Sequence, residues 1–533
     1  MYGPEQATGA GAGMDWRDDA IFLGGGGDGR ALPQWLLLEY ANGHGLIAGA
    51  TGTGKTVTLQ IMAEAFSDHG VPVFLSDVKG DLAGLSRAGD PTNRLHAPFT
   101  ERATQIGYER FSYKSYPTLL WDVFSTSGHP VRTTLAEMGP LLLSRLLDLT
   151  EAQEGVINIV FRVADEEGLA LLDLSDLRAM LIWLGENARE MSRRYGNVSS
   201  ASIGAIQRRL LVLETQGGAQ LFGEPALELS DMMRCDETGR GLISILDARQ
   251  LMMAPRLYAT FLLWLLSELF EELPEIGDPE KPKLVLFFDE AHLLFDDAPR
   301  ALVEKIEQVA RLIRSKGVGV YFVSQSPADL PADVLRQLGN RVQHALRAFT
   351  ARDQKALRLA AQTYRDNPDF ETEAAIREVG VGEAVTSMLE KKGVPGIVER
   401  TLIRPPASRL GPIEDAERAE MLAASPIRGK YEASVDRDSA FEALARRAEA
   451  AAQASEAGSK DASEPEARRP GRGRRYAPDG PARTTRGIGS TRREDSLGQS
   501  IGDAMTGALL KELKGTSGRR LVRGILGTLF KGR

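Results

Sequence analysis

The stretch Gly49-Ala50-Thr51-Gly52-Thr53-Gly54-Lys55-Thr56 constrains this chain more than any other. It follows a short apolar run, Gly45 to Ala48, and precedes a helical-looking segment from Val57 to Phe66. A strand, a glycine-rich turn and a helix in that order read as a phosphate-binding loop. The glycines let the backbone turn tightly and aim N–H groups at a polyphosphate. Lys55 can then reach the β- and γ-phosphates, and Thr56 supplies a hydroxyl for Mg²⁺. Such a loop requires an α/β fold that binds its ligand at the carboxyl ends of its strands.

Hydrolysing a nucleoside triphosphate also needs a held metal ion and a base beside the attacking water. Leu284 to Phe288 is a continuous apolar run, as expected of a strand buried on both faces, and it ends in Asp289-Glu290. This is a Walker B motif, with Asp289 suited to the metal and Glu290 to taking a proton from water. The next strand, Gly317 to Val323, delivers Ser324-Gln325-Ser326-Pro327 to the same edge. The Gln325 amide suits sensing of the γ-phosphate, the other reading being a polar strand end before a proline turn. Val71 to Leu75 leads into Asp77 and Asp81, which either orient water or magnesium or cap the next helix. Arg311 and Arg314 share an edge of the helix Pro299 to Arg314, and Arg341 or Arg347 are further candidates to reach a phosphate.

The rest of the chain is read around that core. With 533 residues and 42% hydrophobic content it can bury a sizeable interior. Runs such as Phe261 to Leu266 are too short to cross a bilayer, and no signal-peptide core is visible, which places the expected site of action in the cytoplasm. Cys235 is the only cysteine, so an intramolecular disulfide and a cysteine metal cluster are excluded. Residues 1–30, with Gly24 to Gly27, read as a flexible lead. Residues 31–431 read as the ATPase domain, interrupted over about 97–238 by a mainly helical insertion, with Thr118 to Val123 a candidate strand of the central sheet. The insertion's apolar residues recur at three and four, as in Val156, Ile159, Val160 and Val163. Arg193-Arg194 and Arg208-Arg209 on that insertion read as solvated surface. Residues 432–500 read as a low-complexity, disordered linker with helical potential at Ala440 to Ala452. Residues 501–533 read as a basic amphipathic helical tail, suited to docking on a subunit of its own assembly, to DNA or to an anionic membrane, with membrane contact the less favoured. Arg468 to Arg533 carry sixteen Lys/Arg against five Asp/Glu, so a net charge of −8 conceals an acidic body with a basic tail. An acidic body argues against a broad nucleic-acid-binding face.

The order of motifs resembles the HerA/FtsK group of RecA-like P-loop ATPases, most closely the bacterial HerA-like helicase family. The resemblance covers roughly residues 30–412. It is carried by Gly49 to Thr56, Asp77-Val78-Lys79-Gly80-Asp81-Leu82, Gln153 to Val156, Lys281 to Phe295, Leu312 to Val320 and Gly339 to Arg347. It implies a RecA-like fold with a mostly parallel central sheet, ATP and Mg²⁺ as ligands, and a ring, expected to be a hexamer, that translocates on or unwinds double-stranded DNA. It also implies a site shared between protomers, with Arg314 the expected trans finger and Arg311 and Arg347 in reserve. No strand-rich N-terminal barrel like that of HerA proper is expected here. The competing expectation is an ATP-dependent regulatory or scaffold protein that does not move DNA, with membrane association through its tail as an option.

Overall fold

In a computed structural model of the chain, residues 16–277, 279–295, 300–348 and 350–461 are described. These residues form two compact units. The first holds those before Thr150 and Val212 to Asp436; the second holds Thr150 to Leu211 and those from Arg437 onward.

The first unit is built on one twelve-stranded sheet. Its strands are β1 (Ala20–Gly26), β2 (Leu32–Leu37), β3 (Gly45–Ala48), β4 (Val73–Asp77), β5 (Thr118–Asp122), β6 (His129–Pro130) and β7 (Ile243–Asp247). They continue with β8 (Leu284–Phe288), β9 (Val318–Ser324), β10 (Asn340–Gln343) and β11 (Glu383–Ser387). After a separate hairpin of β12 (Leu389–Glu390) and β13 (Val394–Pro395), β14 (Glu399–Ile403) rejoins the sheet. Across the sheet the order is β2-β1-β14-β11-β10-β3-β9-β8-β4-β7-β5-β6. Every pairing from β10 to β6 is parallel, while β11, β14, β1 and β2 extend the sheet antiparallel.

Parallel neighbours need crossover connections, and helices supply them. Helix α1 (Lys55–Asp68) links β3 to β4, the helix Pro255–Glu272 links β7 to β8, and the helix Arg300–Ile313 precedes β9. Phe66 of α1 packs with Phe287 of β8 and Tyr321 of β9, all fully buried. A buried ion pair ties α1 to the end of β14. Glu64 accepts from Arg404 at 3.2 Å, from the Ser408 amide at 2.9 Å and from the Ala407 amide at 3.0 Å. The carboxylate is thus paired and hydrogen-bonded, the condition under which burial of charge is tolerated.

Two expectations change. The glycine run expected to be a flexible lead belongs instead to β1, whose seven residues are all buried. Glycine there serves close approach: a Cβ on Gly24 would lie 2.0 Å from the Leu402 carbonyl oxygen of β14. The stretch from residue 432, read as a disordered linker with helical potential at Ala440 to Ala452, is ordered through the helix Ala440–Asp461, which contains that segment and runs beyond it. Ala440, Phe441 and Leu444 are buried, and Asp176 accepts from the Phe441 amide at 3.0 Å and from the Ser439 hydroxyl. The apolar surface that this segment lacks by itself comes from the helix Leu174–Glu186.

The regular structure described in the second unit is helical. It contains the helices Glu151–Glu166, Leu174–Glu186, Ala188–Tyr195 and most of Ser200–Thr215, besides Ala440–Asp461. Val156, Val160 and Val163 are buried as their spacing predicts, with Ile157 joining them in place of the half-exposed Ile159. β5 is the candidate strand within the insertion, and it belongs to the sheet of the first unit as expected. No helix among the described residues is long and apolar enough to cross a membrane. The expected tail helix over 501–533 lies outside the described residues.

Candidate active site

Four adjacent parallel strands end on one edge of the sheet, and each carries polar groups there. β3 leads into Gly49 to Thr56, β9 into Ser324-Gln325, β8 into Asp289-Glu290 and β4 into Asp77 to Leu82. Ala48 pairs with Ser324, Phe288 with Phe322 and Ser76 with Phe288, so these turns start level with one another.

The loop itself is held from both sides. The Gly49 amide donates to Ser324 O at 3.3 Å, the Ala50 amide to Ala345 O at 2.8 Å, and the Gly382 amide to Thr53 O at 3.0 Å. Gly49 has φ +152°, and a Cβ there would lie 2.5 Å from His344 Cβ. Gly54 caps α1 in the left-handed region with φ +119°, a conformation glycine adopts without strain. Beneath the loop, neutral His344 donates from Nδ1 to Glu383 O at 2.9 Å and accepts at Nε2 from the Thr58 hydroxyl at 2.8 Å. Burial pushes the His344 imidazole down to about 4.

Lys55 is buried at the start of α1, and its ammonium donates to Gly49 O at 2.7 Å and Ala50 O at 3.3 Å. Burial lowers its basicity, opposed chiefly by the charge of Glu290. Thr56 is half-buried one residue further on, and Thr51 and Gly52 are exposed. The helix thus presents its N-terminal amides beside a buried cation, the arrangement that receives phosphate.

Asp289 and Glu290 are both buried, with Glu290 in the left-handed region at φ 45°, ψ 50°. A non-glycine residue there is strained, and such strain concentrates at functional sites. Burial pushes the Asp289 carboxyl up to about 6, against the pull of Lys79. Glu290 behaves differently. Burial alone would raise its pKa, but the hydrogen bond and charge of Lys79 outweigh that and hold it below the usual carboxylate range. The Lys79 ammonium lies 2.6 Å from Glu290 Oε1 and 3.8 Å from Asp289 Oδ2.

The sequence leaves Asp77 and Asp81 between two roles, and Asp77 acts here as a cap. Its carboxylate accepts from the amides of Gly80 at 2.7 Å, Asp81 at 3.3 Å and Leu82 at 3.0 Å, fixing the loop that carries Lys79. Lys79 is the residue at this site that the sequence does not single out. Its signal lies in a polar stretch closing a strand, where the flanking aspartates are the more conspicuous candidates.

Gln325 is exposed at the end of β9, one residue beyond the carbonyl that receives Gly49. Arg347 is exposed on the same edge, beyond β10, and Arg311 is exposed on its helix. Arg314 is not brought to this site. It is exposed in the turn Arg314–Lys316 that precedes β9, at the other end of that strand. Arg341 lies in β10 and donates to the carbonyls of Leu335, Leu338 and Thr363, which makes it part of the scaffold.

A hydroxyl and a carboxylate, Thr56 and Asp289, are hard oxygen donors of the kind Mg²⁺ takes with phosphates and water. A cation beside Asp289 would also offset the burial that raises its pKa. Among the described residues no group of three or more His, Cys, Asp or Glu side chains could hold a metal ion. A phosphate-bridged ion does not need such a group.

The model of the Helicase HerA-like C-terminal family matches residues 28–533. The chain belongs to that family. Among solved structures, this HerA-type chain is similar to VirB4 of Thermoanaerobacter pseudethanolicus, at 15% identity and a TM-score of 0.48 over 74% of this chain and 98% of that one. It is similar to the unbound bacterial conjugative coupling protein TrwBdeltaN70, at 15% identity and a TM-score of 0.45 over 74% of this chain and 92% of that one. A form of plasmid coupling protein TrwB in complex with ADP and Mg²⁺ is similar at 15% identity and a TM-score of 0.42, over 69% and 88% of the two chains. No curated protein matches the sequence.

Proposed function

We propose that this HerA-type chain is a Mg²⁺-dependent ATPase that couples hydrolysis to movement along double-stranded DNA as a ring-shaped oligomer. The observation that carries the hydrolytic half is the convergence of Lys55 with Asp289 and Glu290 on one sheet edge, where both carboxylates act on the lysine's charge. Gly49 to Thr56 would wrap the phosphates with backbone amides, and Lys55 would neutralise their charge. Thr56 and Asp289 would hold Mg²⁺, which supplies charge neutralisation at the phosphates when bound. Glu290 would take the proton of the attacking water, with Gln325 orienting that water or reading the terminal phosphate. Arg314, remote from its own site, would serve a neighbour's.

Family membership supports the DNA-directed half, and the first test addresses both halves. MgATP turnover is measured with and without double-stranded DNA on the wild type and two variants. Glu290→Gln should bind ATP but lose about 10²-fold to 10⁴-fold in turnover, the usual share of a general base. Lys55→Ala should lose binding. Turnover surviving in Glu290→Gln removes the assignment of the base. Indifference to DNA, together with liposome binding that depends on residues 501–533, favours the scaffold instead.

A further inference from the structure

We infer that Lys79 is a positioning residue that restrains Glu290, so that the loop Asp77 to Leu82 sets a low basal rate of hydrolysis. The inference rests on Glu290 being the general base.

A base can take a proton from water only through a free carboxylate oxygen. Glu290 Oε1 is engaged by the Lys79 ammonium at 2.6 Å, and Oε2 is buried without a hydrogen-bond partner among the described residues. His292 Nδ1 stands 3.4 Å from Oε2, too poorly placed to count as a hydrogen bond. One oxygen is thus engaged by a cation and the other is enclosed by protein.

The grip comes from a fixed loop. Three backbone amides converge on the Asp77 carboxylate, and Gly80 turns at φ +78°. A Cβ at Gly80 would lie 2.8 Å from Arg249 Cδ, so the Arg249 side chain packs directly on the turn. Arg249 is itself held by Asp247 at the end of β7. The phosphate loop follows β3, and β9 and β8 lie between that strand and β4, which carries Asp77 to Leu82. In this proposal the pair persists with nucleotide bound and limits turnover at saturation. Displacement of the loop, or of Arg249 on which it rests, would release the base. With its side chain 38% exposed, Lys79 has room to leave.

Steady-state hydrolysis of MgATP by the full chain tests this, using Lys79→Met, Lys79→Arg, Glu290→Gln and the double variant Lys79→Met, Glu290→Gln. Lys79→Met should raise kcat about threefold to tenfold, the scale of one partly screened ion pair, with KM within about twofold of wild type. Lys79→Arg retains a cation and should keep most of the restraint. In the Glu290→Gln background the Met substitution should give no gain, because the two act through one contact. An unchanged or lowered kcat in Lys79→Met overturns the restraint while leaving Glu290 as base. Wild-type turnover in Glu290→Gln overturns the assignment of the base and the restraint with it.

Discussion

His44 and His344 are fully buried at opposite ends of adjacent parallel strands, and burial pushes each imidazole down to about 4. His44 donates from Nε2 to Ala310 O at 2.6 Å and accepts the Val320 amide at Nδ1, leaving no place for a second proton. A base whose pKa falls on folding contributes stability that is complete above its unfolded value near 6.5 and is lost as pH falls toward 4. Each histidine should contribute about 3 kcal/mol of that acid sensitivity. Thermal midpoints followed from about pH 7.5 to about pH 5 should therefore drop. The drop should shrink in a His44→Gln, His344→Gln protein, whose midpoint at the upper pH is lower. An equal drop in both proteins would remove the histidines as its cause. At this scale the sequence was informative where a residue type has one use in one motif, as with Lys55 or Asp289. It was silent on Lys79 and on the pairing of His344 with Thr58, because such contacts are made between segments distant in the chain.

At the scale of elements, period and motif sufficed where a segment is buried on both faces. β8 and β9 lie where continuous apolar runs place them, and the apolar run Phe261 to Leu266 lies within the helix Pro255–Glu272. The misreadings have one cause. Both β1 and the start of Ala440–Asp461 are stabilised by distant partners, and composition describes only the segment itself. Gly24 to Gly26 form strand because β14 comes close, and Phe441 is buried because the helix Leu174–Glu186 receives it. Phe441→Ala should accordingly cost about 3–5 kcal/mol. The loss is measurable as faster hydrogen exchange across Leu174–Glu186 and Ala440–Asp461. Exchange confined to the latter helix would mean that it adds nothing to its neighbour.

For the whole molecule the decisive fact is that Arg314 and Gln325 sit at opposite ends of β9. Seven residues at about 3.3 Å each separate the two ends by roughly 20 Å, so Arg314 cannot reach the phosphates of its own chain. An arginine finger placed there must act on a neighbour, and a head-to-tail interface that closes into a ring offers every site such a neighbour. Arg314→Ala alone should then lower turnover by about 10³-fold or more while leaving ATP affinity nearly intact. Lys55→Ala alone should be inactive through lost binding. Mixed in equal amounts and allowed to exchange subunits, the two dead proteins should regain activity. An interface works when an Arg314→Ala chain binds ATP and a Lys55→Ala chain supplies the finger. In a randomly mixed ring that holds for about one interface in four, so turnover should approach a quarter of wild type. Recovery would also assign the site to two chains without any knowledge of the ring's size. If the mixture stays as inactive as its parts under conditions where subunits are seen to exchange, Arg314 is not the residue that crosses the interface. The same complementation with Arg311→Ala or Arg347→Ala then identifies which of the exposed arginines does.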